Sequence, residues 1–326
     1  SESDANGTNY AYGLPGQCHP GKEAAPVIRM YPQHHYRLTL INTADIDTNL
    51  HTHGLHVSGV GVVDDVTRVV QPGECLVYEY YILEDSDVGT FWYHPHRHPL
   101  VSRSVYGGAY GMLIVDELPA IQKVYYPIHL QNFLAQGDYD NEILLQFSSM
   151  FNKTTNTRYN RINGIGKDSK EPSSIPLTLH IQSNVYYRIR ISSVVSLDSI
   201  NFVEFVPHEA CDEIRPIAYD GVYATDIPSR TINSPIHMMT VSSRLDLAIR
   251  CQHNVGVYFH QGQINVTTAT DRDSFDLGRE YNMVQIQISS TDSTSTESND
   301  DTVSHAMTTI STTNVVVDLT QPLVPS

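Results

Sequence analysis

The chain has no apolar run of about 18 residues, the length a membrane-spanning helix needs, and its first ten residues, SESDANGTNY, are polar and acidic. A membrane span is therefore not expected, and any signal peptide is expected to have been removed already. Positive charge is scarce: 20 Lys+Arg against 36 Asp+Glu give a formal charge of −16 with histidine neutral. That excess repels phosphates, and no Lys/Arg cluster makes a local exception, so nucleic acid is not expected as a partner. Cysteine is sparse as well. The four, Cys18, Cys75, Cys211 and Cys251, form no C-x-x-C pair. Together with N-x-S/T sequons at Asn6, Asn152 and Asn265 they favour a secreted, glycosylated, extracellular protein of a eukaryote. Two cysteines in each half suit one disulfide per domain, with Cys211 to Cys251 favoured, although four cysteines allow three pairings.

What is present can fold. Forty per cent of the 326 residues are apolar and 17% are charged, enough to bury cores, and the length suggests two domains. Short alternating segments dominate. In HYRLTLI, Tyr36, Leu38 and Leu40 point one way and Arg37 and Thr39 the other; the segments around LVYEYYI, VYYRIRI and RLDLAIR repeat the period of two. Turn signals such as Gln71-Pro72-Gly73 separate such runs, and no long stretch keeps helical periodicity. The expected fold is all-β, two tandem β-sandwiches. A boundary fits where the strand GMLIVDE ends and Leu118-Pro119-Ala120 precedes a further strand in VYYPIHLQNF, giving domains 1–118 and 119–288. Residues 289–326 open with a Ser/Thr-rich tract that cannot bury a core and reads as linker or tail, followed by a strand-like VVVDLT.

Histidine is the informative residue. His51, His53 and His56 lie in NLHTHGLH, and His94, His96 and His98 in WYHPHRH. A lone H-x-H means little, since chance supplies roughly one such pair at this histidine content. Here each pair ends a strand-like run, where alternate side chains share a face and two imidazoles can converge on a metal. His34, His35, His180 and His237 read instead as surface or hydrogen-bonded core residues. Imidazole donors suit copper, zinc, iron or nickel over magnesium or calcium. A zinc hydrolase is disfavoured, because no Glu lies within either pair to act as base.

NLHTHGLHVSG, QPGECLVYEY, GTFWYHPHRH and VYGGAYGMLIVDE, in this order, resemble the N-terminal cupredoxin domain of multicopper oxidases, the laccase and ferroxidase group. The resemblance implies Greek-key cupredoxin sandwiches and four of the eight histidines around a trinuclear copper cluster that reduces dioxygen to water. It makes His51 a ligand of the type 2 copper, His53 and His94 ligands of one type 3 copper, and His96 a ligand of the other. It also suggests Asp64 as a carboxylate that helps deliver protons, with Asp65 adjacent as an alternative. His98 matches no ligand position. IAYDGVYATD and VSSRLDLAIRC resemble, less specifically, the family's middle domain, which binds no metal.

The family's third domain carries a second H-x-H and an H-C-H segment for the type 1 copper, and neither occurs in this sequence. Cys251, with His253 and His260 after it and no methionine before Met283, and Cys211, with no histidine after it until His237, do not fit a blue-copper loop. The expected function is the N-terminal part of an extracellular multicopper oxidase acting on dioxygen and an unidentified reductant. A companion chain could carry the third domain, and this chain alone is expected to be inactive. The alternative is a secreted structural or copper-binding cupredoxin protein without oxidase activity. A two-domain laccase that completes its clusters between subunits is disfavoured, since it too needs the type 1 cysteine.

Overall fold

A computed structural model describes residues 10–13, 25–83, 88–117, 141–152, 157–166, 175–194, 200–224, 236–264, 275–276, 280–289 and 315–318. The first half runs β1 (Ile28–Met30), β2 (His35–Ile41), β3 (His51–His53), β4 (Cys75–Tyr81), β5 (Gly89–His94), a short helix α1 (Val101–Gly107) and β6 (Gly111–Val115). The second runs β7 (Glu142–Asn152), β8 (Thr157–Ile162), β9 (Ile165–Gly166), β10 (Leu177–Gln182), β11 (Tyr186–Val194), β12 (Ile200–Val206) and β13 (Cys211–Tyr219). It continues with β14 (Val222–Tyr223), β15 (Ile236–Met239), β16 (Arg244–Cys251), β17 (Val255–Ile264), β18 (Phe275–Asp276) and β19 (Glu280–Ser289). A last strand, β20 (Val315–Asp318), pairs antiparallel with β2, so the VVVD piece of the expected tail edges a sheet of the first half. The Ser/Thr-rich tract before it, the expected strand in VYYPIHLQNF and the proposed boundary after Glu117 lie outside the described residues. No helix among the described residues is long and apolar enough to cross a membrane.

These strands form two β-sandwiches. In the first, the sheet β1-β6-β5-β3 faces β20-β2-β4; in the second, β14-β13-β16-β11-β7-β8-β9 faces β10-β19-β17-β12-β15. Parallel neighbours distant in sequence, β1 with β6, β7 with β11 and β10 with β19, show that connections cross between the sheets. The period-two readings hold in the first sandwich: Leu38 and Leu40 of β2 and Tyr78 and Tyr80 of β4 are buried in one core with Phe91, Tyr93, Leu113 and Val115, while Arg37 and Glu79 are exposed. The second core gathers Leu145, Phe147, Ile189, Ile191, Leu247, Ile249, Val257 and Ile286. Cys211 and Cys251, opposite one another on β13 and β16, form its disulfide. The expectation of a second bridge fails: Cys75, at the start of β4, is an exposed free thiol, and Cys18 lies outside the described residues.

In the second sandwich the alternation is only half of the story. Arg188 and Arg190 of β11 and Asp246 of β16 stand on the polar face of their strands, yet all three are buried. That face is covered by the first sandwich. Arg188 pairs with Asp246 at 2.6 Å and with Glu117 at 2.7 Å; Arg190 bonds Glu142 at 2.5 Å, Asp246 at 3.1 Å and the Thr90 hydroxyl at 3.2 Å. Arg29 joins Asp116 and Glu142 from the other side. Burial alone would raise the Glu117 carboxyl, but the Arg188 and Arg190 guanidiniums hold it at about 2. The sandwiches thus meet through a buried ionic network, beside a small apolar cluster of Trp92, Tyr110 and Val194. Backbones also come close, since a Cβ at Gly89 would touch Gly221 of the turn between β13 and β14.

Candidate metal centre

The two histidine segments meet because β3 and β5 are antiparallel neighbours in the register His51 opposite His94, Thr52 opposite Tyr93 and His53 opposite Trp92. Alternation then puts His51, His53, Trp92 and His94 on one face, with Thr52 and Tyr93 buried on the other. Among the described residues His51, His53 and His94 form a group whose ligand atoms lie within 4.8 Å of one another. Nδ1 of His53 and Nε2 of His94 face each other at 3.3 Å. His96 stands beside the group, its ring 5.0 Å from that of His51 and 5.9 Å from that of His94, and His98 stacks edge-on against His96 at 5.4 Å from an exposed position.

The rings are oriented from behind. Asp64 is buried and accepts from Nδ1 of His51 at 2.9 Å and from the Thr52 amide at 3.0 Å, which leaves Nε2 of His51 as the open ligand atom. Asp65 instead caps its own loop through the amide and hydroxyl of Thr67. The two adjacent carboxylates, interchangeable on paper, are therefore distinguished by geometry. Nδ1 of His94 donates to the carbonyl of Pro95 at 2.9 Å. Asn49, fully buried, donates to the carbonyls of Val66 and Arg68 and accepts from the His96 amide at 2.6 Å, tying the two histidine segments to the Asp64 loop. Neither Asn49 nor Arg244 was legible as part of the site. Arg244 comes from the second sandwich, donates to the carbonyls of Thr90 and Asp220, and lies where a Cβ on Gly54 would be. Gly54 also has φ +84°, so the turn after His53 requires glycine on two counts.

Burial, then the neighbouring His51 and Arg244, lowers His53 to about 4; burial above all lowers His94 to about 3 and shifts His96 in the same direction. These imidazoles are neutral at ordinary pH, with lone pairs in a common space. A cluster of converging neutral imidazoles has the donor chemistry of a copper, zinc or iron site and not of a magnesium or calcium site. Of the histidines read as non-ligands, His34 is exposed and bonded to the Pro32 carbonyl, His35 is exposed against Tyr81, His180 is exposed, and His237 is buried in the second sandwich. The disulfide takes both Cys211 and Cys251 out of consideration as thiolate ligands.

Residues 18–119 match the family model described as "Multicopper oxidase". That segment, about a third of the chain, is similar to a multicopper oxidase domain. The chain is 30% identical over 136 residues to "Multicopper oxidase mco" of Staphylococcus haemolyticus, covering 42% of this chain and 28% of that one. It is 25% identical over 226 residues to an iron transport multicopper oxidase of Kluyveromyces lactis, covering 64% and 31%. The chain thus spans about a third or less of the length of these relatives. In fold it is similar to a bacterial laccase-like multicopper oxidase from Ochrobactrum sp., with a TM-score of 0.59 and 16% identity over 84% of this chain and 56% of that one. This likeness establishes the cupredoxin-type sandwich fold.

Proposed function

We propose that this chain supplies half of the trinuclear copper site of an extracellular multicopper oxidase. The observation that carries the reading is the convergence of His51, His53 and His94, with ligand atoms within 4.8 Å and His96 alongside. The residues fit copper: converging imidazole donors on a strand pair whose other face is buried in an aromatic core. His51 would hold the type 2 ion, His53 and His94 one type 3 ion, and His96 the other. When bound, copper supplies the one-electron chemistry that couples oxidation of a reductant to reduction of dioxygen.

The chain's own residues prepare that chemistry. Asp64 fixes the His51 tautomer and is, among the described residues, the one carboxylate in hydrogen-bond contact with a histidine of the group, the place a carboxylate that helps deliver protons would take. Asn49 fixes the spacing of the histidine segments, and Arg244 buttresses the turn that follows His53. The domain division 1–118 and 119–288 is part of this reading and is supported by the two separate apolar cores. The Cys211–Cys251 disulfide supports the extracellular placement. The sites for the reductant and the remaining histidines would come from a third cupredoxin domain, on a companion chain or elsewhere in the protein.

The test is copper content per 36.5 kDa chain in protein purified from its source without added metal. Near four equivalents supports the oxidase reading. Between zero and one replaces it with a structural or copper-binding role.

A further inference from the structure

We propose that Trp92 is the positioning residue for copper at His53 and His94, acting through its ring faces, whereas His51 is held by a hydrogen bond to Asp64. This rests on the reading of the histidine group as a copper site.

Metal-binding imidazoles are ordinarily oriented by an acceptor on the nitrogen that does not bind the metal. His51 has Asp64 for this, and His94 has the Pro95 carbonyl. His53 has neither: its Nδ1 is within hydrogen-bond reach of Nε2 of His94, a nitrogen that the copper reading gives to the metal, and among the described residues no carboxylate or carbonyl takes its other nitrogen. What His53 has is Trp92. The indole stacks on the His53 ring at 4.9 Å and 28° and on the His94 ring at 4.2 Å and 19°. Register produces both contacts. Trp92 is directly across from His53 on the neighbouring strand and two residues before His94 on its own, so all three side chains share one face.

Trp92 is itself immobilised. It is 3% exposed and packs with Tyr110, Val105 and, from the second sandwich, Val194. Its Nε1 is buried with no acceptor among the described residues, so the ring is kept in place by packing rather than by a hydrogen bond of its own. A smaller aliphatic side chain would leave His53 free to turn about its side-chain torsions, whereas another flat ring would still restrain it. Because Trp92 is the chain's sole tryptophan, it also reports on the site directly.

The experiment uses the full chain, copper(II) sulfate as the probe, and three readouts: tryptophan emission in the wild type, copper affinity by chelator competition, and the thermal midpoint of the copper-free protein. The wild type is expected to lose most of its emission as copper is added. Trp92→Phe is expected to stay within a few-fold of wild-type affinity, and Trp92→Leu to bind about tenfold or more weakly at a similar thermal midpoint. An electron paramagnetic resonance spectrum altered in Trp92→Leu and retained in Trp92→Phe would separate positioning from bulk stability. Equal affinities for wild type and Trp92→Leu overturn the proposal, as does an equal loss in both variants that follows the thermal midpoint. Copper uptake without quenching overturns it too, by placing the metal away from Trp92. Failure of the wild type to take up copper overturns the copper-site reading itself and the proposal with it.

Discussion

Two buried polar clusters lie within one molecule and are built on opposite terms. The cluster between the sandwiches sets the guanidiniums of Arg29, Arg188 and Arg190 against the carboxylates of Asp116, Glu117, Glu142 and Asp246, so charge is answered by charge. The cluster at the end of β3 and β5 holds neutral imidazoles with no countercharge between them, Nδ1 of His53 lying 3.3 Å from Nε2 of His94. The first is closed: every contact that compensates its burial comes from the chain. The second converges instead: the ligand atoms of His51, His53 and His94 lie within 4.8 Å of one another, with neutral nitrogens rather than opposed charges. Opposed charges that answer one another hold a fold together, whereas converging neutral donors suit the binding of a cation.

Breaking the closed cluster should have the largest effect. Arg190 is fully buried and pairs with four carboxylates, Asp116, Glu117, Glu142 and Asp246, so Arg190→Ala leaves them in a buried interface with one cation fewer. The expected cost is about 3–5 kcal/mol by urea unfolding. A loss within experimental error would mean that water enters the interface and that the network contributes little.

Removing the Cys211–Cys251 bridge tests whether stability and binding are separable. The bridge spans 40 residues within the second sandwich, and replacing both cysteines by alanine should cost about 2–4 kcal/mol. Copper affinity should stay unchanged, because neither cysteine adjoins the histidine group. Asp64→Asn should do the reverse. It keeps the shape but weakens the acceptor behind His51, and copper affinity should fall about 10–100-fold with little change in unfolding, while Asp65→Asn leaves both as they are. Equal effects of the two substitutions would show that the His51 contact is not what matters.

The histidine cluster was the more legible of the two because its pattern is local. Two H-x-H elements need only period-two alternation to put their rings on one face, and Leu38, Leu40, Tyr78 and Tyr80 declared their strands in the same way. The closed cluster is non-local. Nothing in RLDLAIR or VYYRIRI says that its arginine and aspartate face will be covered by another sandwich, so the polar half of each strand reads as half-buried when it is buried. Asn49 and Arg244 were missed for the same reason: their partners are 17 to 154 residues away. Spacing could not choose between Asp64 and Asp65 because adjacent residues differ in which side of the loop they take. Pairing Cys18 with Cys75 rested on count alone, and the free thiol of Cys75 shows how little count constrains.

Acid should address the two clusters in separate windows. His53 and His94 sit at about 4 and about 3 when folded against 6.5 when not, so between these values the unfolded chain binds more protons than the folded one. Their contribution to stability is complete above pH 6.5 and is lost as pH falls through about 4 and then about 3. Glu117 moves from 4.5 to about 2, so its contribution is complete above pH 4.5 and is lost on approach to 2. The thermal midpoint of the copper-free protein should therefore begin to fall near pH 6.5 and steepen below 4.5, with the upper part reduced in His94→Gln, where His53 remains, and the lower part reduced in Glu117→Gln. Bound copper should steepen the upper part, because protons then compete with the metal for the same nitrogens. A profile flat from pH 6.5 down to 4.5 would mean that the imidazoles accept protons as readily in the folded protein as outside it, and the distinction between a charged and a neutral cluster would lose its physical basis.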